Sequence, residues 1–182
     1  MNINTDIKIE TNRLILRYMK TEDQHDIFVN INHNKNVLLY FLSKYCEDES
    51  EMQLDKTISF CINNDRYLFA IELKETKEVI GMILQCSTPT ELYNSTEIGF
   101  AIGEKHWNKG YTTEALSAMI DFMFSLGIHK VYAVHIKENI ASKRVMEKCN
   151  MIYEGLRKDD VYYHNNYWDT CFYYLINPKD NI

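Results

Sequence analysis

The chain predicts a layered α/β (α+β) fold, a mixed sheet flanked by helices, in a single domain over residues 1–182. Three observations carry this expectation. Apolar runs of strand length recur from residue 13 to residue 176, with amphipathic stretches of helical period between them. At 182 residues, 46% hydrophobic and 13% aromatic, the chain is long enough to bury roughly two-thirds of its unfolded surface. With 2 Pro and 6 Gly, and no repeat or Pro/Gly/Ser-rich linker, nothing divides it or marks it as disordered.

Arg13-Leu-Ile-Leu-Arg17 reads as the first strand. Thr21 and Gln24 form a capping box opening a helix with Ile27, Phe28 and Ile31 on one face. Residues 32–46 are aromatic and irregular. Asp48 and Glu51 cap a second helix, in which Leu54, Ile58, Cys61 and Ile62 recur at helical spacing. Runs 67–73 and 79–85 pair as an antiparallel hairpin across the polar segment 74–78. Residues 96–102 form a strand, and 110–126 a helix whose stripe of Leu116, Met119, Ile120 and Met123 faces the sheet. A buried strand at 131–136 follows, then a helix at 139–149 with Ala141, Val145 and Cys149 inward. Strands 151–156 and 168–176 close the order βααβββαβαββ.

Charge and cysteines exclude several functions. A formal net charge of −6 lacks the basic face that phosphate neutralisation requires, which argues against a nucleic-acid partner. The 5 Cys are scattered beside apolar runs without a Cys-x-x-Cys, as reduced buried thiols of a cytoplasmic protein would be. Residues 1–10 lack a signal peptide's apolar block, and no stretch approaches the roughly 20 apolar residues of a membrane span. The 6 His form no metal constellation, and His135 reads as a satisfied core residue. No metal is expected. No Gly-x-Ser-x-Gly elbow suggests a hydrolase.

The most informative stretch is Glu97-Ile-Gly-Phe-Ala-Ile-Gly-Glu-Lys-His-Trp-Asn-Lys-Gly-Tyr-Thr-Thr-Glu-Ala115. A strand passes through a polar turn into a helix, with Gly110 at the helix mouth. The first amides of a helix have no internal partner and point outward at the positive end of the dipole, so this geometry holds an anion. Gly110 admits a close backbone approach, and the hydroxyls of Thr112 and Thr113 add donors. A plain strand-to-helix turn fits the same spacing, since one Gly is a weak signal.

The stretch resembles the GNAT acetyltransferase superfamily, and within it the RimJ/RimL-like branch. The family signature Gln/Arg-x-x-Gly-x-Gly/Ala is matched by Trp107-Asn-Lys-Gly110-Tyr-Thr112, with departures at both ends; Trp107 is usual in the branch. Glu10-Thr-Asn-Arg-Leu-Ile-Leu-Arg17 resembles the opening strand, Asn139-Ile-Ala-Ser-Lys-Arg-Val-Met-Glu-Lys148 the second signature helix, and Tyr153-Glu-Gly155 the strand beyond it. Asn150 stands where the family has Gly, and Asn is the residue that best tolerates the positive φ of a helix C′ position after Gly.

The resemblance implies a mostly antiparallel twisted sheet whose central strands splay, and acetyl-CoA as co-substrate. It implies cofactor contacts at Phe100, Ala101, Ile102, Trp107, Asn108, Lys109, Gly110, Tyr111, Thr112, Thr113 and Asn139, a carbonyl-oxygen donor among the amides near 100–102, and transfer to a primary amine. The acid that many members supply as Tyr is Met146 here; in the branch, the Ser matching Ser142 takes that role. Ser142 as acid and Ser142 as an ordinary first-turn residue both stay open, as do capping and water-holding for Asn139. Glu97, on the strand beside the thioester cleft, is the candidate base or else a solvated edge carboxylate. Glu114 is structural; Lys109, Lys143 and Arg144 reach the cofactor phosphates or are solvated. The missing Tyr keeps a catalytically silent acyl-CoA-binding module as the alternative. The acceptor, a protein N-terminus or a small cationic amine, faces walls at 32–48 and 158–167 holding Tyr40, Tyr45, Glu47, Asp48, Asp159, Asp160, Tyr162 and Tyr163. A homodimer stays open.

Overall fold

The computed structural model describes residues 3–180, so the first two residues of the N-terminal segment lie outside it. Strands β1 (Lys8–Glu10), β2 (Leu14–Tyr18), β3 (Leu68–Leu73), β4 (Val79–Gln85), β5 (Ser95–Ile102), β6 (Lys130–Ile136), β7 (Ile152–Tyr163) and β8 (Asn166–Ile176) form one sheet. Its order is β1-β2-β3-β4-β5-β6-β8-β7. Only β5 and β6 run parallel, so the sheet is mixed and mostly antiparallel, as expected.

The helices are α1 (Gln24–Ile27), α2 (Lys35–Leu38), α3 (Leu54–Asn63), α4 (Tyr111–Ser125) and α5 (Ile140–Lys148). The stripe predicted for α4 is buried, and the Phe122 ring stands T-shaped against Phe69 of β3, docking the helix on one face of the sheet. Leu14, Leu16, Ile71, Ile83, Ile98, Leu116 and Met119 are fully buried between the layers. Each such burial is worth roughly 1.5–3 kcal/mol relative to exposure. Asn150 takes φ 59°, and the Met151 N–H reaches back to the Met146 carbonyl, so a left-handed residue closes α5.

Several elements differ from expectation. The capping box belongs to Asp23, whose carboxylate accepts from the Lys20 N–H at 2.8 Å; the turn at Thr21–Asp23 is 3-10 and passes through α1 into a π-helix, Phe28–Asn32. Asp48 caps the 3-10 turn Glu49–Glu51, ahead of α3. The irregular segment holds α2, capped by Asn34. On α5 it is Met146 and Cys149 that are buried, whereas Ala141 is exposed. The largest difference is residues 158–167, expected as a loop. They extend β7 and β8 into a long hairpin whose turn, His164-Asn165, has φ 51° and 57°. Two consecutive left-handed residues match the right-handed twist of paired strands, so the chain turns in two residues.

Candidate active site

A cleft of about 1560 Å³ opens where β5 and β6 separate. They pair only at Ser95–Lys130, Thr96–Val131 and Glu97–Tyr132, after which β5 follows β4 and β6 follows β8. The Cys86 N–H donates to the Glu97 carbonyl and the Gly103 N–H to the Ile80 carbonyl, each at 2.8 Å. Antiparallel ladders alternate, so Gly99 and Ala101 also turn their backbone groups to β4, while those of Ile98, Phe100 and Ile102 face the splay. The Ile102 carbonyl accepts the Trp107 indole N–H at 2.9 Å. Phe100 and Ile102 therefore present the free strand edge; Ala101, expected beside them, turns its backbone away.

At one end of this edge lies the turn into α4. Asn108 and Gly110 have φ 59° and 79°, and Gly110 is the N-cap residue, with no side chain covering the first amides of the fifteen-residue helix. Trp107, Asn108, Gly110, Thr112 and Thr113 line the cleft. Lys109 and Tyr111 depart from expectation, since neither lines it. Tyr111 lies beneath the Arg13 guanidinium, 4.4 Å from its ring centroid, and the Lys109 carbonyl accepts from Arg13 Nη1 at 2.9 Å.

Arg13 was absent from the expected site. Its Nε donates to Glu114 Oε2 at 2.7 Å, and Glu114 Oε1 accepts from the Thr11 hydroxyl and the Arg13 N–H. Burial opposes ionisation of Glu114, but these hydrogen bonds and the Arg13 charge outweigh it and hold the carboxyl below its ordinary range. The opening strand thus clamps the turn from nearly a hundred residues away. Hydrogen bonds to charged groups contribute about 1.5–3 kcal/mol, less at a half-exposed site, so Arg13→Met is expected to weaken CoA binding about tenfold by calorimetry. Equal affinity would show that the turn holds its shape unaided.

At the other end is the N-terminus of α5. The Asn139 side chain caps it, accepting from the Ser142 N–H at 3.1 Å, and both residues line the cleft. The Ser142 hydroxyl makes no hydrogen bond to the described residues. Met146 is wholly buried in the core. His135 corrects its reading as satisfied: Nδ1 lies 2.8 Å from the Ile136 carbonyl, which can only accept, so Nδ1 carries the proton. Its buried Nε2 has no partner among the described residues, and burial lowers its pKa, keeping the ring neutral.

The register sorts the remaining groups by face. Phe69, Ile83 and Phe100 share the face under α4, and His135, Cys171 and Tyr173 lie on that same side near α5. Glu97, Tyr132, Val134 and Phe172 occupy the opposite face with Arg157. Burial raises the Glu97 pKa above its ordinary value, with Arg157 pulling it partly back. Glu97 also helps burial push the neighbouring Cys86 thiol up to about 12.

Of the eight residues expected to wall the acceptor side, only Tyr40 and Asp160 line the cleft. Asp160 accepts from the Thr170 hydroxyl at 2.6 Å, and Asp48 bonds Ser50. The Tyr45 ring stacks on His33. Tyr163 instead anchors the wall: its hydroxyl lies 2.9 Å from the Leu38 carbonyl and 3.2 Å from that of Phe41. Among the described residues no group of three His, Cys, Asp or Glu is placed to hold a metal ion, and no helix is long and apolar enough to cross a membrane.

An open strand edge leading from an uncapped helix mouth fits a ligand with an anionic end and an amide-bearing arm. "Uncharacterized N-acetyltransferase YoaA" of Bacillus subtilis is 29% identical over 174 residues, covering 94% of this chain and 98% of that protein. The [ribosomal protein uS5]-alanine N-acetyltransferase of Escherichia coli is 23% identical over 94% of this chain and 92% of its own length. The spermidine N-acetyltransferase of Vibrio cholerae, solved in complex with CoA and spermine, superposes with a TM-score of 0.79 at 24% identity, covering 93% of this chain and 98% of that one. The acetyltransferase (GNAT) domain family matches residues 13–152, from the Arg13 clamp through both helix mouths to the start of β7, and the chain belongs to it.

Proposed function

We propose that this protein transfers the acetyl group of acetyl-CoA to a primary amine by direct attack, in the manner of the RimJ/RimL-like branch. The observation that carries this is the splay itself. It joins the anion-binding turn at Gly110, the free amides of Phe100 and Ile102, and Ser142 on one side to Glu97 on the other. Trp107 and the opening-strand motif support the branch. Bound acetyl-CoA supplies the activated acetyl thioester.

The α4 amides, with Thr112 and Thr113, hold the pyrophosphate, and Arg144 and Lys148 at the cleft rim offer charges to its phosphates. Asn139 caps α5 and thereby sets Ser142 toward the cleft. The Phe100 or Ile102 amide stabilises charge developing on the carbonyl oxygen. Glu97, directly or through water, takes the proton of the incoming ammonium, so that a neutral nitrogen forms the new N–C bond as the C–S bond breaks. Ser142 passes a proton to the departing sulfur and regains one from the newly bonded nitrogen, which is left as a neutral amide. The relatives include both acceptor types, a ribosomal-protein alanine and a polyamine.

Thiol release with a panel of amines tests the activity: CoA binding without release from any amine would leave a silent binding module. Ser142→Ala is expected to lower kcat about tenfold with acetyl-CoA affinity unchanged, because water can also protonate the departing alkyl thiolate. A loss below about twofold, with chemistry limiting, would return Ser142 to its helix role.

A further inference from the structure

The acceptor face of the cleft is not lined as a site for a polycation would be. Of the carboxylates other than Glu97 that line the cleft, Glu154 holds Lys130 at 2.6 Å and Asp160 accepts from Thr170, while Glu138 stands apart in the turn ahead of α5. On the face of Tyr132 and Phe172, two groups remain open. The Glu97 carboxylate accepts no hydrogen bond from the described residues. The Arg157 guanidinium lies flat against one partner, 4.0 Å from the Phe172 ring centroid, and makes no hydrogen bond or ion pair among the described residues.

The register sets these two groups across one opening. Glu97 stands on β5 and Arg157 on β7, with β6 and β8 between them. Three strand spacings are roughly 14 Å across the sheet, and Arg157 stands through Thr170 opposite Ile136, four residues or about 13 Å along it from the Tyr132 that faces Glu97. Arg157 leans over Phe172 toward β6, and its charge is felt at Glu97, so the gap left between the two side chains is that of a small molecule. An arginine resting on an aromatic ring keeps its fork of N–H donors free and pre-oriented, and that fork matches a carboxylate bidentately.

We propose that the acceptor is a small amino carboxylate, its ammonium end at Glu97 and its carboxylate on Arg157. The proposal rests on the acetyltransferase reading and narrows its acceptor. A polyamine would bring a second cation to Arg157, and a protein N-terminus brings an amide where the carboxylate should be.

The test is thiol release from acetyl-CoA with matched acceptors, phenylalanine against 2-phenylethylamine and lysine against cadaverine, with spermidine and an alanine-initiated peptide alongside. The carboxylate-bearing member of a pair is expected to show at least about tenfold higher kcat/KM, the worth of a charge-assisted bidentate contact. Arg157→Met keeps the stem on Phe172 and is expected to reduce the preference to about twofold, through KM, while Arg157→Lys restores only part of it. Turnover of the decarboxylated amines, compared on the pH plateau above the Glu97 limb because Arg157 also lowers the Glu97 pKa, should stay within about twofold in either variant, which separates lost recognition from lost folding. Faster reaction with spermidine, the peptide or the decarboxylated amines, or a preference that survives Arg157→Met, overturns the proposal and leaves the acetyltransferase reading standing. Thiol release from none of the amines overturns both.

Discussion

Gly110→Asp is expected to weaken CoA binding about a thousandfold while the protein stays folded, since a like charge about 4 Å from a phosphate costs roughly 4 kcal/mol at a partly desolvated surface site. Gly110 is exposed and at φ 79°, so little packing is lost. A Cβ there would stand 3.4 Å from Arg13 Nη2. The new carboxylate would therefore both repel the pyrophosphate and draw Arg13 from the Lys109 carbonyl and Glu114 that it clamps. Gly110→Ala separates the contributions, because a left-handed non-glycine residue costs only about 1–2 kcal/mol. Calorimetry on both variants decides, and unchanged affinity in Gly110→Asp would place the phosphates elsewhere.

Glu97→Gln is expected to slow turnover at neutral pH on the order of 100-fold, as loss of a general base does. Burial raises the Glu97 pKa, and Arg157 opposes it only in part. The carboxyl becomes a base as pH rises through that raised value, which gives the wild-type acidic limb. Without it, rate must follow the fraction of free amine, so the limb moves up toward the acceptor's own pKa. Activity then partly recovers at high pH, where the amine sheds its proton unaided. The measurement is kcat/KM against pH with one acceptor. Profiles of equal height and position would remove Glu97 from the reaction, and a uniform loss at every pH would assign it to acceptor binding alone.

What the sequence determined by itself was whatever a short window encodes. Alternation and helical period located β4 at its observed bounds and the buried stripe of α4, because a side chain's face follows from its neighbours' spacing. Asn150 and Gly110 were legible for the same reason: a left-handed φ is a property of one residue and its turn. The mouth of α4 and the cap of α5 could thus be read directly.

The tertiary structure decided what depends on register. Residues 158–167 looked polar and loop-like, yet paired strands carry them, and the acidic wall they seemed to offer comes down to Asp160, which lines the cleft bonded to Thr170, while Asp159 does not line it. Arg13 reaches a carbonyl 96 positions away, and Arg157 rests on Phe172 and faces Glu97 across the cleft only because β7, β8, β6 and β5 lie side by side in that order. Even the choice between Phe100 and Ala101 turns on which carbonyl Cys86 bonds. A shift of one residue in a ladder exchanges the two faces of a strand, so no local pattern states which side chains a cleft will gather.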